Sequence, residues 1–264
     1  MPSTFNCTYV AARLLPVGLL LVAGCYAVPQ SGRSALRLVP SQQLVAKASQ
    51  QFELLKQQTP ISVNAQHNAM LRRVGARIAH AVGSDLPAAQ WEFVVFDDES
   101  QINAFAMPGG KVAVYSGIFK VAQTDAQLAV VVGHEIAHLV AQHGNERMTQ
   151  QLLASGGALA IQYGTQSLPT LERQGLLAAY GAGSSLGILL PYSRQHESEA
   201  DKIGLIYSAQ AGYDPRLALD FWQRMQAEQG SSPPEFLSSH PSDATRMRQL
   251  QQYMPIALQA YSKR

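Results

Sequence analysis

Cysteine is almost missing from this chain: Cys7 and Cys25 are the only two, both near the amino end. No disulfide framework can staple the remaining residues, and no Cys-based zinc site is available. Any metal must be held by histidine and carboxylate. Charge is scarce as well. Asp, Glu, Lys and Arg make up 14% of the residues and the formal net charge is +2, without the clustered Lys and Arg of a nucleic-acid surface, so nucleic acid is excluded as a partner. Long apolar runs are also lacking. Leu14 to Val22 is too short for a comfortable membrane span. The Ala-, Gly-, Leu- and Ser-rich stretch 150–190 is broken by repeated glycines, Pro169, Glu172 and Arg173. Two helices packed through small residues fit that stretch better than a span, overhanging a cleft or resting against a partner. There is no internal repeat and no heptad run.

What is present is concentrated in Ala129 to Val140, which contains His134-Glu135-Ile136-Ala137-His138. At about 100° per residue, His134 and His138 project from one helix face about a turn apart, a face that can hold a metal. Glu135 flanks that face, where a carboxylate can take a proton from an attacking water without ligating the metal. The helix has a plausible start at Thr124 or Asp125 and apolar residues on its other sides, so it is expected to be buried. It is expected to end near His143 and Gly144. His143, five residues beyond His138 and about 140° round, is expected to point away from the ligands toward the helix C-terminus. The positions three and six beyond the second histidine are Ala141 and Gly144, which excludes the metzincin arrangement.

A second concentration of chemistry, Arg194 to Asp201, offers three carboxylates and a histidine. On a helix Glu197 and Asp201 share a face, with Arg194 three residues before Glu197 on the same side, while Glu199 is turned roughly 160° to 200° away. Glu197 is therefore the expected third ligand, completing a His₂Glu site for one zinc ion per chain with a fourth position open, as in catalytic rather than structural zinc. Asp201 is expected behind the ligands, accepting an N–H from one imidazole and fixing its tautomer, with Arg194 beside it.

The rest of the chain reads as a mainly helical frame around a small sheet. Helices are expected over 41–58, ended by Pro60, and over 64–82, ended by Gly83. His67 and His80 are read as surface or core-edge histidines. Trp91 to Phe96, Asn103 to Met107 and Lys111 to Tyr115 read as three strands, the last two joined by a Pro108-Gly109-Gly110 turn. An exposed edge can pair with an extended peptide backbone, so Asn103, Ala104 and Phe105 are candidate substrate-binding residues; an ordinary strand covered by a loop stands as the equal alternative. Further helices are expected over 215–229, behind Asp214-Pro215, and over 242–253, with a loop at 231–234.

Residues 1–24 read as an export signal: Arg13, a short apolar run and then Val22-Ala23-Gly24-Cys25. The ending resembles the lipobox of bacterial lipoproteins, which implies cleavage before Cys25 and lipidation of Cys25, with 25–40 as a lipidated tether and 41–264 as the domain. Several acyl chains on one residue anchor durably. Tyr26 after the cysteine favours, by similarity to lipoprotein sorting, the periplasmic face of the outer membrane. An ordinary signal with an incidental cysteine would still export the chain.

His134-Glu135-Ile136-Ala137-His138, with Ser193-Arg194-Gln195-His196-Glu197-Ser198-Glu199-Ala200-Asp201 downstream and Asn103 to Gly110 before it, resembles the membrane-associated zinc endopeptidases related to HtpX, Oma and BepA. The resemblance covers roughly residues 60–250. It implies an α+β, mainly helical zincin (gluzincin) domain whose small mixed β-sheet precedes the HExxH helix. It implies zinc held by His134, His138 and Glu197, with Glu135 as base. It also points to His240-Pro241 and Arg246. His240, on its own a loop histidine, then becomes a catalytic candidate that stabilises the oxyanion or occupies the open zinc position. Unlike BepA the chain shows no helical repeat domain, and unlike HtpX no spanning helices. The function so implied is hydrolysis of unfolded or misassembled cell-envelope polypeptides, with the outer-membrane assembly machinery as an associated partner. Rival readings are a non-proteolytic assembly or chaperone lipoprotein that uses the zinc cleft for binding, and a hydrolase of cell-wall peptides.

Overall fold

The computed structural model describes residues 25–185, 189–228, 234–240 and 244–263. The expected signal at 1–24, Pro241 and most of the expected 231–234 loop lie outside them. Strands β1 (Cys25–Ala27) and β2 (Ser34–Leu36) form an antiparallel hairpin. Helices α1 (Ser41–Gln58) and α2 (Ala65–Val82) follow, then β3 (Glu92–Phe96), β4 (Ala104–Met107) and β5 (Lys111–Tyr115). The remainder is helical: α3 (Asp125–Val140), α4 (His143–Gly164), α5 (Thr170–Ser184), α6 (Leu190–Gln210), α7 (Leu217–Ala227), α8 (Glu235–Ser239) and α9 (Ala244–Ser262). The fold is α+β, mainly helical, with a mixed sheet before α3, as the sequence implied. Among the described residues no helix is long and apolar enough to cross a membrane.

The sheet has the order β3-β5-β4, with β3 parallel and β4 antiparallel to β5. Side chains alternate across it because a strand has a period of two. Val95, Val112 and Val114 enter the main core, while Val94, Phe96 and Ala113 turn to the opposite face and pack with Phe52 of α1. Both faces are thus covered, and β4 keeps one edge unpaired in the sheet. Helix α2 begins where Asn64 accepts from the N–H groups of Gln66 and His67, and ends at Gly83, whose φ of 48° suits a residue without Cβ. Its stripe of Leu71, Val74 and Ile78 is buried. His67 stacks on Phe119 with ring centroids 3.9 Å apart.

Helix α3 starts with a capping box in which Thr124 and Gln127 satisfy each other's backbone N–H groups. It passes through the centre of the core and crosses α6 at very short range. The glycines explain that closeness: a Cβ on Gly204 would sit 2.7 Å from the backbone of Gly133 and of His134. Only hydrogen fits between these backbones. The crossing puts the start of the metal-site motif beside the segment that carries Glu197 and Asp201.

Two local expectations are corrected. Helix α3 ends at Val140 rather than near His143, because Gln142 takes a left-handed conformation (φ 55°, ψ 34°) and starts a new helix at His143. The segment 25–40, expected as a tether, is folded onto the domain. Val28 and Ala35 are buried in the main core, and the Tyr26 hydroxyl donates to the Val140 carbonyl at 2.9 Å. Asn145 and Thr149 accept from the backbone N–H groups of Val39 and Leu38. The expected 150–190 pair is present as α4 and α5, which pack on each other where the Tyr180 hydroxyl donates to the Ala154 carbonyl, and α5 buries no residue fully.

Candidate metal centre

His134 and His138 occupy successive turns of α3, Glu197 lies on α6 and His240 follows α8, and their ligating atoms lie within 4.8 Å of one another. His134 Nε2 is 3.1 Å from His138 Nε2, 3.3 Å from Glu197 Oε2 and 3.2 Å from His240 Nδ1. His138 Nε2 is 3.5 Å from Glu197 Oε1, and His240 Nδ1 is 3.0 Å from Glu197 Oε2. A tetrahedral ion with bonds of about 2.0–2.1 Å has donor-to-donor edges of roughly 3.3 Å. These five edges, with Glu197 contributing both oxygens, span 3.0–3.5 Å, around that value.

The tautomers test whether a cation fits. His134 Nδ1 is 2.9 Å from Asp201 Oδ1, and a carboxylate can only accept, so Nδ1 carries the proton and Nε2 of the neutral ring presents a lone pair. That lone pair faces the Glu197 carboxylate and a second imidazole. Acceptors converging on one point attract a cation or a proton. Burial opposes protonation of His134, but the bonds to Asp201 and Glu197 overcome it and raise its pKa to about 9. His138 is driven the other way, well below its ordinary value, by burial first. Glu197 is itself buried, yet the surrounding histidines hold it far below the carboxylate range. A hard carboxylate and imidazoles in tetrahedral array suit zinc.

Behind the ligands, Asp201 is gripped by Arg246, whose Nε and Nη2 donate to its two oxygens at 2.7 Å each. Arg246 also lies over the Trp222 ring, donates to the His240 carbonyl at 3.0 Å and stands 3.4 Å from Glu197 Oε2. One guanidinium thereby ties α6 to the loop that carries His240. Arg194, expected beside Asp201, is exposed at the start of α6. The contact geometry assigns that place to Arg246, because α9 packs over this face of α6.

Glu135 is buried next to the ligands, its Oε1 accepting no hydrogen bond and lying 3.3 Å from His240 Nε2. Burial raises its pKa, and the backbone of nearby Ala106 works against that rise. Ala106 and Phe105 belong to β4, so the edge strand borders the site. They line one wall of a cavity of about 490 Å³ that reaches Glu135 and His138. Its lining also includes Tyr26, Leu44, Val45 and Leu86 and is largely apolar. Asn103 and Ala104 stand at the start of the strand, where the Asn103 side-chain oxygen accepts from the Ala104 N–H at 2.9 Å. Cys25 is exposed at the start of β1.

The profile of Peptidase family M48 matches residues 65–254, well over half of the chain. The chain belongs to that family. Its similarity to M48 relatives extends beyond the motif. It is 37% identical over 174 residues to mitochondrial metalloendopeptidase OMA1 of Arabidopsis thaliana, covering 66% of this chain and 34% of that one. It is 29% identical over 263 residues to a putative beta-barrel assembly-enhancing protease of Vibrio cholerae, covering 97% and 53%. It is 34% identical over 160 residues to the beta-barrel assembly-enhancing protease of Escherichia coli, covering 59% and 32%. The chain therefore spans between about a third and about half of these relatives' lengths.

One group of residues at this centre was missed by sequence reasoning. His143 is fully buried rather than turned to a helix end, and it meets His138 on the side away from the ligands. Glu199 does lie on the other side of α6 from Glu197, as its spacing required, but it is buried in an ion cluster with Arg33, Glu146, His143 and His196. The only signal for this group was the density of histidine and glutamate at 143–146 and 196–199. Its partner Arg33 is more than a hundred residues away.

Proposed function

We propose that this chain is a zinc endopeptidase that hydrolyses extended, poorly folded polypeptides, with His134, His138 and Glu197 holding the ion and Glu135 as general base. The observation that carries this reading is the convergence of ligand lone pairs beside a buried carboxylate that has no hydrogen-bond partner on one oxygen. Zinc, when bound, polarises the peptide carbonyl and brings the pKa of water toward neutrality. Glu135 then takes the water proton and delivers it to the leaving amine. Its raised pKa suits both halves of that transfer, since a stronger base accepts more readily and still releases to an amine. Asp201 holds His134 in the ligating tautomer, and Arg246 keeps Asp201 ionised and aimed.

The edge of β4 supports an extended substrate. Backbone pairing along the open edge of β4 would bind a peptide regardless of its sequence, while the apolar cavity beside Phe105 accepts one large apolar side chain. Such segments are exposed in unfolded chains and hidden in folded ones. His240 occupies the fourth vertex of the ligand set, and we assign it to the resting site, which it leaves when substrate enters. The names of the V. cholerae and E. coli relatives support envelope proteins as substrates and the outer-membrane assembly machinery as a partner; Cys25 and the apolar leader before it support attachment by lipid.

Two variants of the full chain test the reading. Glu135→Gln should retain zinc at one equivalent while cleavage of unfolded casein falls by about 10²- to 10⁴-fold. Glu197→Ala should lose both zinc and cleavage. Parental cleavage by Glu135→Gln would refute the mechanism, and rescue of a deletion strain by Glu135→Gln would favour a binding role instead.

A further inference from the structure

Each imidazole offers two nitrogens, and only one of His138's faces the metal centre. The other, Nδ1, lies 2.8 Å from Nδ1 of His143. One of these two must donate and the other accept. The choice is made further out, because His143 Nε2 lies 2.9 Å from Glu199 Oε2. A carboxylate only accepts, so His143 carries its proton on Nε2 and keeps a lone pair on Nδ1. The proton between the rings therefore sits on His138 Nδ1, which leaves His138 Nε2 unprotonated toward the ion. His134 reaches the same result through one carboxylate, Asp201. His138 reaches it through an imidazole and then a carboxylate.

The outer end of this chain of bonds is held by the amino-terminal hairpin. Arg33 Nε donates to Glu199 Oε2 at 2.9 Å, and the Ser31 hydroxyl donates to Glu199 Oε1. The two terminal nitrogens of Arg33 grip both oxygens of Glu146 at 2.8 and 2.7 Å. His196 closes the cluster, bonded to Glu146 at 3.0 Å and stacked on His143 with centroids 4.3 Å apart. Ser31 and Arg33 lie in the turn between β1 and β2, outside the residues that match the family.

We propose that His143, Glu199 and Arg33 are positioning residues for the ligand His138, so that the β1–β2 hairpin is a working part of the metal centre. Arg33 fixes the Glu199 carboxylate, Glu199 fixes the His143 tautomer, and His143 holds the His138 ring with its Nε2 lone pair on the ion. This rests on the reading of His138 as a zinc ligand. An ion cluster that served stability alone would make the same contacts but would leave the metal indifferent to the acceptor at position 143.

Zinc affinity separates the two. In the full chain, zinc dissociation constants are measured by competition with a chelating indicator, alongside melting of the metal-free protein. His143→Leu removes the acceptor while keeping bulk, and zinc should bind about 10- to 100-fold more weakly. His143→Asn places an amide oxygen near the lost Nδ1 and can still accept from His138, so affinity should return to within about threefold of parental. Arg33→Met should weaken zinc in the same direction and Arg33→Lys should recover part of the loss, which keeps the test alive if the position-143 variants do not fold. Parental zinc affinity in folded His143→Leu or Arg33→Met, with only the metal-free melting temperature lowered, would overturn the proposal. Parental protein that takes up no zinc would instead defeat the zinc reading itself, and the proposal with it.

Discussion

At the scale of single residues, His240 has the most unusual position. Its Nδ1 lies 3.0 Å from Glu197 Oε2 while its Nε2 stands 3.3 Å from Glu135 Oε1. On the reading proposed above, one side chain covers both the open coordination position and the proton acceptor. If a substrate displaces it, as proposed, the displaced fraction scales the apparent affinity. His240→Ala should therefore lower KM for an unfolded substrate by roughly three- to tenfold without lowering kcat. Initial-rate measurements decide it, and a fall in kcat at unchanged KM would assign His240 to oxyanion stabilisation instead. Much of this centre was legible in the sequence. The i, i+4 spacing placed His134 with His138 and Glu197 with Asp201, because helical geometry leaves no freedom there. Arg194, three residues before Glu197, falls on the same side and is still exposed, since spacing says which side of a helix a residue is on but not what packs against that side.

At the scale of elements, the centre depends on how closely α3 and α6 approach. Gly133 and Gly204 face each other at the crossing, and Ser208 beside them donates to the Ala129 carbonyl at 2.8 Å. A methyl at 204 has nowhere to go, because its nearest neighbours are backbone atoms rather than flexible side chains. Gly204→Ala should cost about 1–3 kcal/mol of stability through overpacking. Because the displaced backbone carries His134, zinc affinity should fall with it. Thermal melting and chelator competition check the two effects, and a variant that melts and binds zinc as the parent does would show that the crossing has slack. Helix and strand positions were largely anticipated from periodicity and from Asn64, Gly83, Thr124 and the Pro108-Gly109-Gly110 turn, since each of these acts locally. The break at Gln142 was not. Glutamine carries no preference for the left-handed region, and here its side-chain oxygen accepts from the distant Arg37 at 3.0 Å.

At the scale of the whole molecule, the amino-terminal hairpin binds the two halves of the ion cluster together. Glu146 of α4 and Glu199 of α6 are both partly desolvated, which works against ionisation, yet their bonds to Arg33 and the histidines pull each pKa down to about 2. A carboxylate whose pKa is lower folded than unfolded adds stability above its unfolded pKa, and that stability disappears as pH falls through the folded value. The contribution should be complete above about pH 5 and lost on approach to pH 2. Arg33→Met should accordingly lower the urea midpoint most at neutral pH, and its curve should converge with the parental one toward pH 2. A constant gap between the two curves across that range would mean that Arg33 stabilises by packing and not by charge.

The sequence by itself determined the metal chemistry, the sheet ahead of the metal-site helix and the helical frame, because these follow from repeat geometry and from residues that act on their immediate neighbours. Tertiary structure alone decided that residues 25–40 fold onto the domain, that Arg194 stays exposed, and that His143 meets His138. Each of those outcomes depends on residues distant along the chain, and burial, which turns a surface charge into a structural one, is a property of the packed molecule.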